Sequence, residues 1–259
     1  MISSLFNPNV KYVRRLQTDR RFRAREQVFV AEGKRWLVEL AAKATGLRQV
    51  YYTEKWLAEA DHADILAQVS AKKQPVRDNV MSVMSATETP PGALAVVDFI
   101  SLDIPSKASL LLILDGVSDP GNLGTILRTA GAAGVDAVLL SPGCVDLYNP
   151  KVVRGAMGSH LRLPTRRLSW AEIARTCEGI EIWLAAADAR VPYTAVEWRN
   201  PAALIVGNEA HGASEMARTL ADNSISIPMQ ARTESLNVAV ATAVILFEAV
   251  RQRRRLTPP

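Results

Sequence analysis

Three short clusters in the second half of the chain combine residue types able to do chemistry. The first runs Asp115-Gly116-Val117-Ser118-Asp119-Pro120-Gly121-Asn122-Leu123-Gly124 and is followed, on the same predicted helix, by Arg128. Gly121 and Gly124 permit tight turning and close backbone approach, and Asn122 suits a helix cap. The second cluster is Gly207-Asn208-Glu209-Ala210-His211-Gly212. A carboxylate in a glycine-flanked turn is well placed to fix an arginine. The third is Ile227-Pro228-Met229-Gln230, then Thr233-Glu234-Ser235-Leu236-Asn237-Val238-Ala239-Val240-Ala241. Ser235 and Asn237 stand where a final helix starts, and Ala239, Ala241 and Ala243 let that helix pack closely. Each cluster also has a plain structural reading: Asn122 as a cap, Glu209 as the cap of a helix near Ser214, His211 as a packing side chain, and Ser235 as the cap of a core helix. That plain reading fits Ser235 better than Asn237. The first and third clusters hold no His, Lys or Cys, so they offer no ordinary general base.

The clusters must be positioned by the strands that precede them. Residues 110–115, 137–141, 180–186, 203–206 and 224–227 read as strands, and 122–133, 150–157 and 236–253 as helices. Short apolar runs alternating with helices predict a parallel sheet covered on both faces. In such sheets the ligand site lies at the carboxyl ends of the strands, so the loops after Asp115, Ala186, Val206 and Ile227 are where a site is expected. Upstream, helices over 8–19, 33–45, from 54 and over 63–70 mix with strands over 28–31, 48–52, near 75–77 and over 93–98. This reads as a small α/β layer domain. Pro, Ser and Asp break the periodicity at 101–107. The expected division is a domain over 1–100, a linker over 101–109 and a second domain over 110–259.

Composition and absent motifs narrow the function. With 259 residues, 48% hydrophobic and 22% charged, the chain is of ordinary globular type. Its apolar runs near 110–114 and 245–247 are too short to span a bilayer. Two cysteines cannot staple a secreted scaffold, and with three histidines they argue against a zinc site. The opening Met1-Ile2-Ser3-Ser4-Leu5 lacks the features of a signal peptide, which gives a cytoplasmic expectation. There is no G-x-x-x-x-G-K-[ST] phosphate loop, no G-x-G-x-x-G turn and no G-x-S-x-G elbow, which excludes P-loop enzymes, ordinary Rossmann dehydrogenases and α/β hydrolases. Charge is strongly segregated. Residues 1–48 hold 11 Lys/Arg against 4 Asp/Glu, a net of +7, whereas 49–250 hold 16 against 22, a net of −6. The last nine residues add Arg251, Arg253, Arg254 and Arg255, a net of +4, for +5 overall. A concentrated basic end on a near-neutral body points to a polyanionic partner. Phe6, Tyr12, Phe22 and Phe29 interleave with those cations, and aromatics stack on unpaired bases. The alternative is a merely solvated face. Arg20, Arg21, Arg23 and Arg25, four cations within six residues, are the expected nucleic-acid contacts.

Taken together, the motifs D-G-V-S-D-P-G-N-L-G-T-I-L-R-T-A at 115–130, I-V-G-N-E-A-H-G at 205–212 and I-P-M-Q…E-S-L-N-V-A-V-A at 227–241 resemble the three signature motifs of the SpoU (TrmH-type) RNA 2′-O-ribose methyltransferases of the SPOUT superfamily. The resemblance covers about 110–250. The stretches S-L-F-N-P-N-V-K-Y-V-R-R-L at 4–16 and F-V-A-E-G-K-R-W-L-V-E-L at 29–40 look like the ribosomal-protein-like substrate-binding domain that precedes many members. The resemblance implies an α/β fold whose C-terminal parallel-sheet domain carries a deep trefoil knot, the chain after Ile227 threading through a loop of earlier residues. It implies S-adenosyl-L-methionine as cofactor, held largely by backbone atoms at Gly207, Ile227, Leu236 and Met229, with Asn237 and the Ala186–Ala187 loop nearby, and no metal. It implies Arg128 as the residue that activates a ribose 2′-hydroxyl, with Asn122 and Glu209 expected to fix its guanidinium fork and Ser235 and Asn237 to align ribose and cofactor. A homodimer paired through the knotted domain is implied too, and Ala239, Ala243, Leu246, Phe247 and Val250 form the expected face. One departure is Ala231, where relatives commonly carry glycine. The separate N-terminal domain favours large-subunit ribosomal RNA as substrate over transfer RNA. A non-catalytic RNA-binding or ribosome-assembly protein is the alternative from another class, and the intact polar residues of the three motifs argue against it.

Overall fold

The computed structural model describes residues 1–43, 46–230 and 235–254. The chain forms two compact units, one of 1–100 with 146–154, the other of 101–145 with 155–259.

The first unit opens with α1 (Pro8–Thr18) and α2 (Arg20–Glu26). Asn7 caps α1 by accepting from the Asn9 N–H at 2.9 Å, and Pro8 sits in the first turn, where no N–H is needed. Val10, Val13 and Leu16 recur at helical spacing and are buried. The helix expected over 8–19 ends at Asp19, whose carboxylate accepts from the Phe22 N–H at 3.0 Å and starts α2, a helix without counterpart in the sequence reading. There follow β1 (Val28–Glu32), α3 (Lys34–Lys43), β2 (Leu47–Tyr52), α4 (Glu54–Leu57), α5 (His62–Gln68), β3 (Lys72–Pro75), α6 (Asp78–Met84) and β4 (Ala93–Asp98). The sheet order is β1-β4-β2-β3, with only the β2–β3 pair parallel. The sequence reading has no counterpart of α6.

The second unit carries β5 (Leu110–Leu114), α7 (Pro120–Ala133), β6 (Ala137–Leu140), α8 (Pro150–Gly155, all but its last residue grouped with the first unit), β7 (Thr165–Arg167), α9 (Trp170–Thr176), β8 (Glu181–Ala185), β9 (Val191–Pro192), β10 (Ala202–Val206), α10 (Glu215–Leu220), β11 (Asn223–Ser226) and α11 (Val238–Arg254). Its seven strands lie in the order β7-β6-β5-β10-β8-β11-β9, and every neighbouring pair is parallel. All five residues of β5 and of β10 are buried, as a strand covered on both faces requires. The neighbours β10, β8 and β11 bring the loops that follow them to one edge of the sheet, beside the loop after β5.

Segment 146–154 groups with the first unit, although the sequence reading places it within 110–259. Tyr148 stacks on Phe29 and Phe99 at centroid separations of 4.8 and 3.9 Å, and its hydroxyl accepts from the Ile100 N–H at 2.8 Å. The expected dimer face also changes. On α11, Ala239 and Leu246 are buried within the chain's own core, whereas Val240 and Phe247 are 49% and 48% exposed.

Candidate active site

Asp115, at the end of β5, is buried and ties two of the three motif loops together. One carboxylate oxygen accepts from the Ser214 N–H at 2.6 Å and the other from the Ser141 hydroxyl at 3.3 Å. Asn208, directly after Gly207, donates through Nδ2 to the Gly116 carbonyl at 2.6 Å and accepts from the Ala210 and His211 N–H groups at 2.8 and 3.1 Å. The loops after β5 and β10 are thereby laced before any ligand arrives. Gly207 is required by close packing: a Cβ there would lie 2.6 Å from the backbone of Gly212 and Ala213.

On this frame the motif side chains form a relay. Asp119, not Asn122, caps α7, accepting from the Asn122 N–H at 2.8 Å. This leaves the Asn122 side chain free for other partners. Its Nδ2 donates to Glu209 at 2.9 Å, and its Oδ1 accepts from Asn237 Nδ2 at 3.0 Å. Asn237 in turn caps α11, accepting from the Ala239 N–H at 2.9 Å, so the cap that the sequence reading gave to Ser235 belongs to Asn237. Ser214 caps α10. Burial alone would raise the Glu209 pKa. Hydrogen bonds from Asn122 and from the Ser118 and Asp119 N–H groups outweigh it and hold the carboxyl below its ordinary range. Glu209 is therefore an anchored anion with its lone pairs engaged, poorly suited to accept a proton from substrate.

A cavity of about 680 Å³ opens beside the relay, within the usual ~300–1,000 Å³ of small-molecule sites. Gly207, Ile227, Leu236, Asn237, Ala186, Ala187 and Met229, the whole expected cofactor set, lie in its wall, with Asn122, Glu209 and Ser235. Ile225, Val238, Ala241 and Ile245 give the wall apolar surface, and Asp188, Arg218 and Ser226 stand among its polar members. A wall of mixed polarity and this volume suits a nucleoside-sized molecule with both a flat ring and polar groups.

Two expectations fail here. Asn122 and Glu209 bond to each other, so neither fixes Arg128. Arg128 lies six residues along α7 from Asn122, roughly 9 Å of helix axis. It is exposed, outside the cavity wall, and has no partner among the described residues. In the first unit, Arg23 is 3% exposed. It pairs with Asp146 at 2.7 Å and donates to the Leu16 carbonyl at 2.6 Å. Arg25 pairs with Glu26 and lies 4.8 Å over Phe22. Only Arg20 and Arg21 of the four remain exposed and unpartnered among the described residues. The sequence reading missed Asp115 and Asn208 as site builders. An Asn after a strand-ending glycine is an Asx-turn signal that marks Asn208, whereas nothing local marks Asp115. Ala231, Thr233 and Glu234, on which the knot loop and the third motif partly rest, lie outside the described residues, as does Arg255.

Among the described residues no group of three or more His, Cys, Asp or Glu converges, and no helix is long and apolar enough to cross a membrane. The model of the SpoU rRNA Methylase family matches residues 109–247, and that of the MRM3-like substrate binding domain matches 7–95. The chain is 33% identical, over 95% of its length and 97% of the relative's, to the 23S rRNA (guanosine(2553)-2′-O)-methyltransferase RlmP of Bacillus subtilis. Its structure resembles the SpoU methyltransferase AviRb of Streptomyces viridochromogenes in complex with the cofactor AdoMet, with a TM-score of 0.87 and 28% identity over 98% of this chain and 100% of that one. It also resembles an AdoMet-bound rRNA methyltransferase from Sinorhizobium meliloti, with a TM-score of 0.87 and 26% identity over 100% and 98% of the two chains.

Proposed function

This chain belongs to the SpoU rRNA methylase family, and from that premise we propose that it methylates a ribose 2′-hydroxyl of large-subunit ribosomal RNA, using S-adenosyl-L-methionine. The observation that carries the reading is the Glu209–Asn122–Asn237 relay at the wall of a cavity whose lining includes every expected cofactor-contact residue.

Gly207, Ile227, Met229, Leu236 and the Ala186–Ala187 loop hold the cofactor, which supplies an electrophilic methyl group when bound. The chain's own task is alignment of the attacking hydroxyl and stabilisation of charge growing on its oxygen. Glu209 keeps Asn122 in one orientation, Asn122 keeps Asn237, and the last also fixes the start of α11. Ser235 borders the same wall and orients the ribose. Arg128 presents a planar cationic fork of N–H donors. It acts as a clamp on the neighbouring phosphate and the developing oxyanion, turning into place when RNA supplies the anion it lacks in the free chain. The first unit is the RNA substrate-binding domain, and Arg20 and Arg21 contribute to its phosphate contacts. The chain beyond Ile227 completes a trefoil knot, two copies pair through α11, and the enzyme works in the cytoplasm beside the ribosome.

Methyl transfer from labelled S-adenosylmethionine to separated ribosomal and transfer RNA, followed by nuclease mapping, tests the reading. The expected product is a 2′-O-methyl nucleotide in large-subunit RNA. Label confined to transfer RNA, or no label in any RNA, refutes it.

A further inference from the structure

The basic first segment has five aromatics, Phe6, Tyr12, Phe22, Phe29 and the buried Trp36, and four of them are committed to the interior. Phe29 and Phe22 are buried, and Tyr12 packs edge-on against Phe22 at 5.5 Å. Arg15 and Arg25 lie over Phe22 at 4.3 and 4.8 Å, which uses that ring and both guanidinium groups within the fold. Phe6 differs. It is 82% exposed, more than any other large hydrophobic side chain among the described residues.

The backbone around Phe6 is tied at both ends. Ile2 bridges to Val76, donating to the Pro75 carbonyl at 2.8 Å and accepting from the Arg77 N–H at 3.0 Å. The Asn7 N–H donates to the Ser4 carbonyl at 3.2 Å, the Phe6 N–H donates to the Ser4 hydroxyl at 3.2 Å, and Asn7 then caps α1. The ring is held outward on an ordered turn, so stacking a flat partner on it costs little ordering entropy. Lys11 Nζ lies 5.9 Å from the ring centroid. Lys11, Arg14 and Thr18 share the face of α1 opposite the buried Val10, Val13 and Leu16. Neither Lys11 nor Arg14 has an acidic partner among the described residues. An exposed ring beside Lys11, with Arg14 one turn further along α1, offers a π face for a base and cations for its phosphates.

We infer that Phe6, Lys11 and Arg14 form a single-strand RNA contact, in which an unpaired base stacks on Phe6 and adjoining phosphates meet Lys11 and Arg14. This rests on the reading of RNA as substrate and names which kind of RNA the first unit takes: an unpaired segment, not a duplex.

Binding of fluorescein-labelled oligo(A), and of the same strand annealed to oligo(U), is measured for the full chain and its variants. Phe6→Ala should weaken oligo(A) binding roughly 5- to 150-fold, the span found for loss of one stacked base, and leave duplex binding unchanged. Phe6→Leu should lose as much, because it keeps the apolar volume but not the π face, and Phe6→Trp should restore binding. Lys11→Gln and Arg14→Gln should each flatten the log–log salt slope by about 0.7. Thermal unfolding of Phe6→Ala should match the parent, since the ring is exposed. The inference is overturned if the parent chain does not bind oligo(A), or if Phe6→Ala binds it as well as the parent does. It is equally overturned if Phe6→Leu binds like the parent, which indicates an apolar docking surface. Phe6-dependent binding to phosphatidylglycerol vesicles with indifferent oligo(A) binding assigns the patch to a membrane instead. The methyl-transfer assay on whole ribosomal RNA is read separately. A chain that methylates RNA while failing these tests loses only this contact, and one that methylates no RNA loses the function.

Discussion

Four donors converge on the two oxygens of Glu209: the Ser118 N–H and hydroxyl at 3.3 Å each, the Asp119 N–H at 3.4 Å and Asn122 Nδ2 at 2.9 Å. Glu209→Gln keeps the volume but turns an amide NH₂ toward donors, so at least one contact becomes a donor–donor clash. The site is partly solvated, which reduces the penalty to about 1 kcal/mol, roughly fivefold in turnover. Because hydrogen bonds hold the Glu209 carboxyl below its ordinary value, the relay's contribution to stability is complete above that value and is lost as pH falls through the depressed one. A pH profile should show a relay-dependent loss only on the acid side, and one absent from Glu209→Gln. A loss of the same shape in the variant would assign the acid limb to another group. Arg128 makes the opposite kind of prediction. It has no partner to lose among the described residues, so Arg128→Ala should unfold like the parent and bind S-adenosylmethionine with unchanged affinity. Turnover should fall by more than tenfold, at least ~1.4 kcal/mol of barrier. Turnover within tenfold of the parent removes Arg128 from the chemistry. Asn122, Glu209 and Asn237 could be read from residue type and spacing. Which of them bonds which could not, because Asn122 and Asn237 are 115 positions apart and their pairing follows from strand order.

The strands and helices that carry the motifs follow the sequence closely because each apolar run is either fully buried, as in β5 and β10, or closed by an evident cap. Elements were missed where the local signal is short or charged. The arginines of α2 hide a helix that begins at the Asp19 cap, and α6 carries no side-chain cap at all. The fate of Arg23 could not be seen locally, since its partner Asp146 is 123 residues away. Arg23→Ala would leave the Asp146 carboxylate without its cation and the Leu16 carbonyl without its donor. Breaking a buried pair on one side costs ~3–5 kcal/mol, so urea unfolding should show a loss near the lower end, as Asp146 retains some exposure. Arg20→Ala and Arg21→Ala should stay within about 0.5 kcal/mol of the parent and lose RNA affinity instead. Equal stability of the three variants would mean that α2 is not held through Arg23. At the cavity, Gly207→Ala is the informative change. Its methyl group points at the Gly212 and Ala213 backbone, not into the cavity, so it must push the 208–212 turn away. Calorimetry should show at least tenfold weaker S-adenosylmethionine binding with far-UV circular dichroism retained, and unchanged affinity would take Gly207 out of the cofactor wall.

At the scale of the whole molecule, the excess of cations in the first unit is confined to residues 1–48, whereas its residues 49–100 carry 4 Lys/Arg against 7 Asp/Glu, and the relay and cavity lie in the second unit. What composition leaves open is which apolar surface would serve the second copy proposed above. On α11, Thr242, Ile245 and Ala249 join Ala239 and Leu246 in the core. Val240 and Phe247 point outward, seven residues apart on one face, with Val244 and Val250 half-buried beside them. An outward apolar stripe on a helix whose other side already fills a core is a mark of association. A stable interface removes about 800 Å² per partner, more than two side chains supply. The stripe can therefore act only as the centre of a larger patch, where single changes have their largest effect. Light scattering of the parent should give about twice the 28.2 kDa chain mass. Val240→Asp with Phe247→Asp should return it to the single-chain value. Both side chains are about half exposed in the single chain, so the charges can reach water there and melting should change little. Desolvating two carboxylates per copy, four across a twofold interface, would oppose pairing strongly. A parent mass of one chain at all concentrations rules out the homodimer. A dimeric parent whose double variant stays dimeric moves the interface off this stripe.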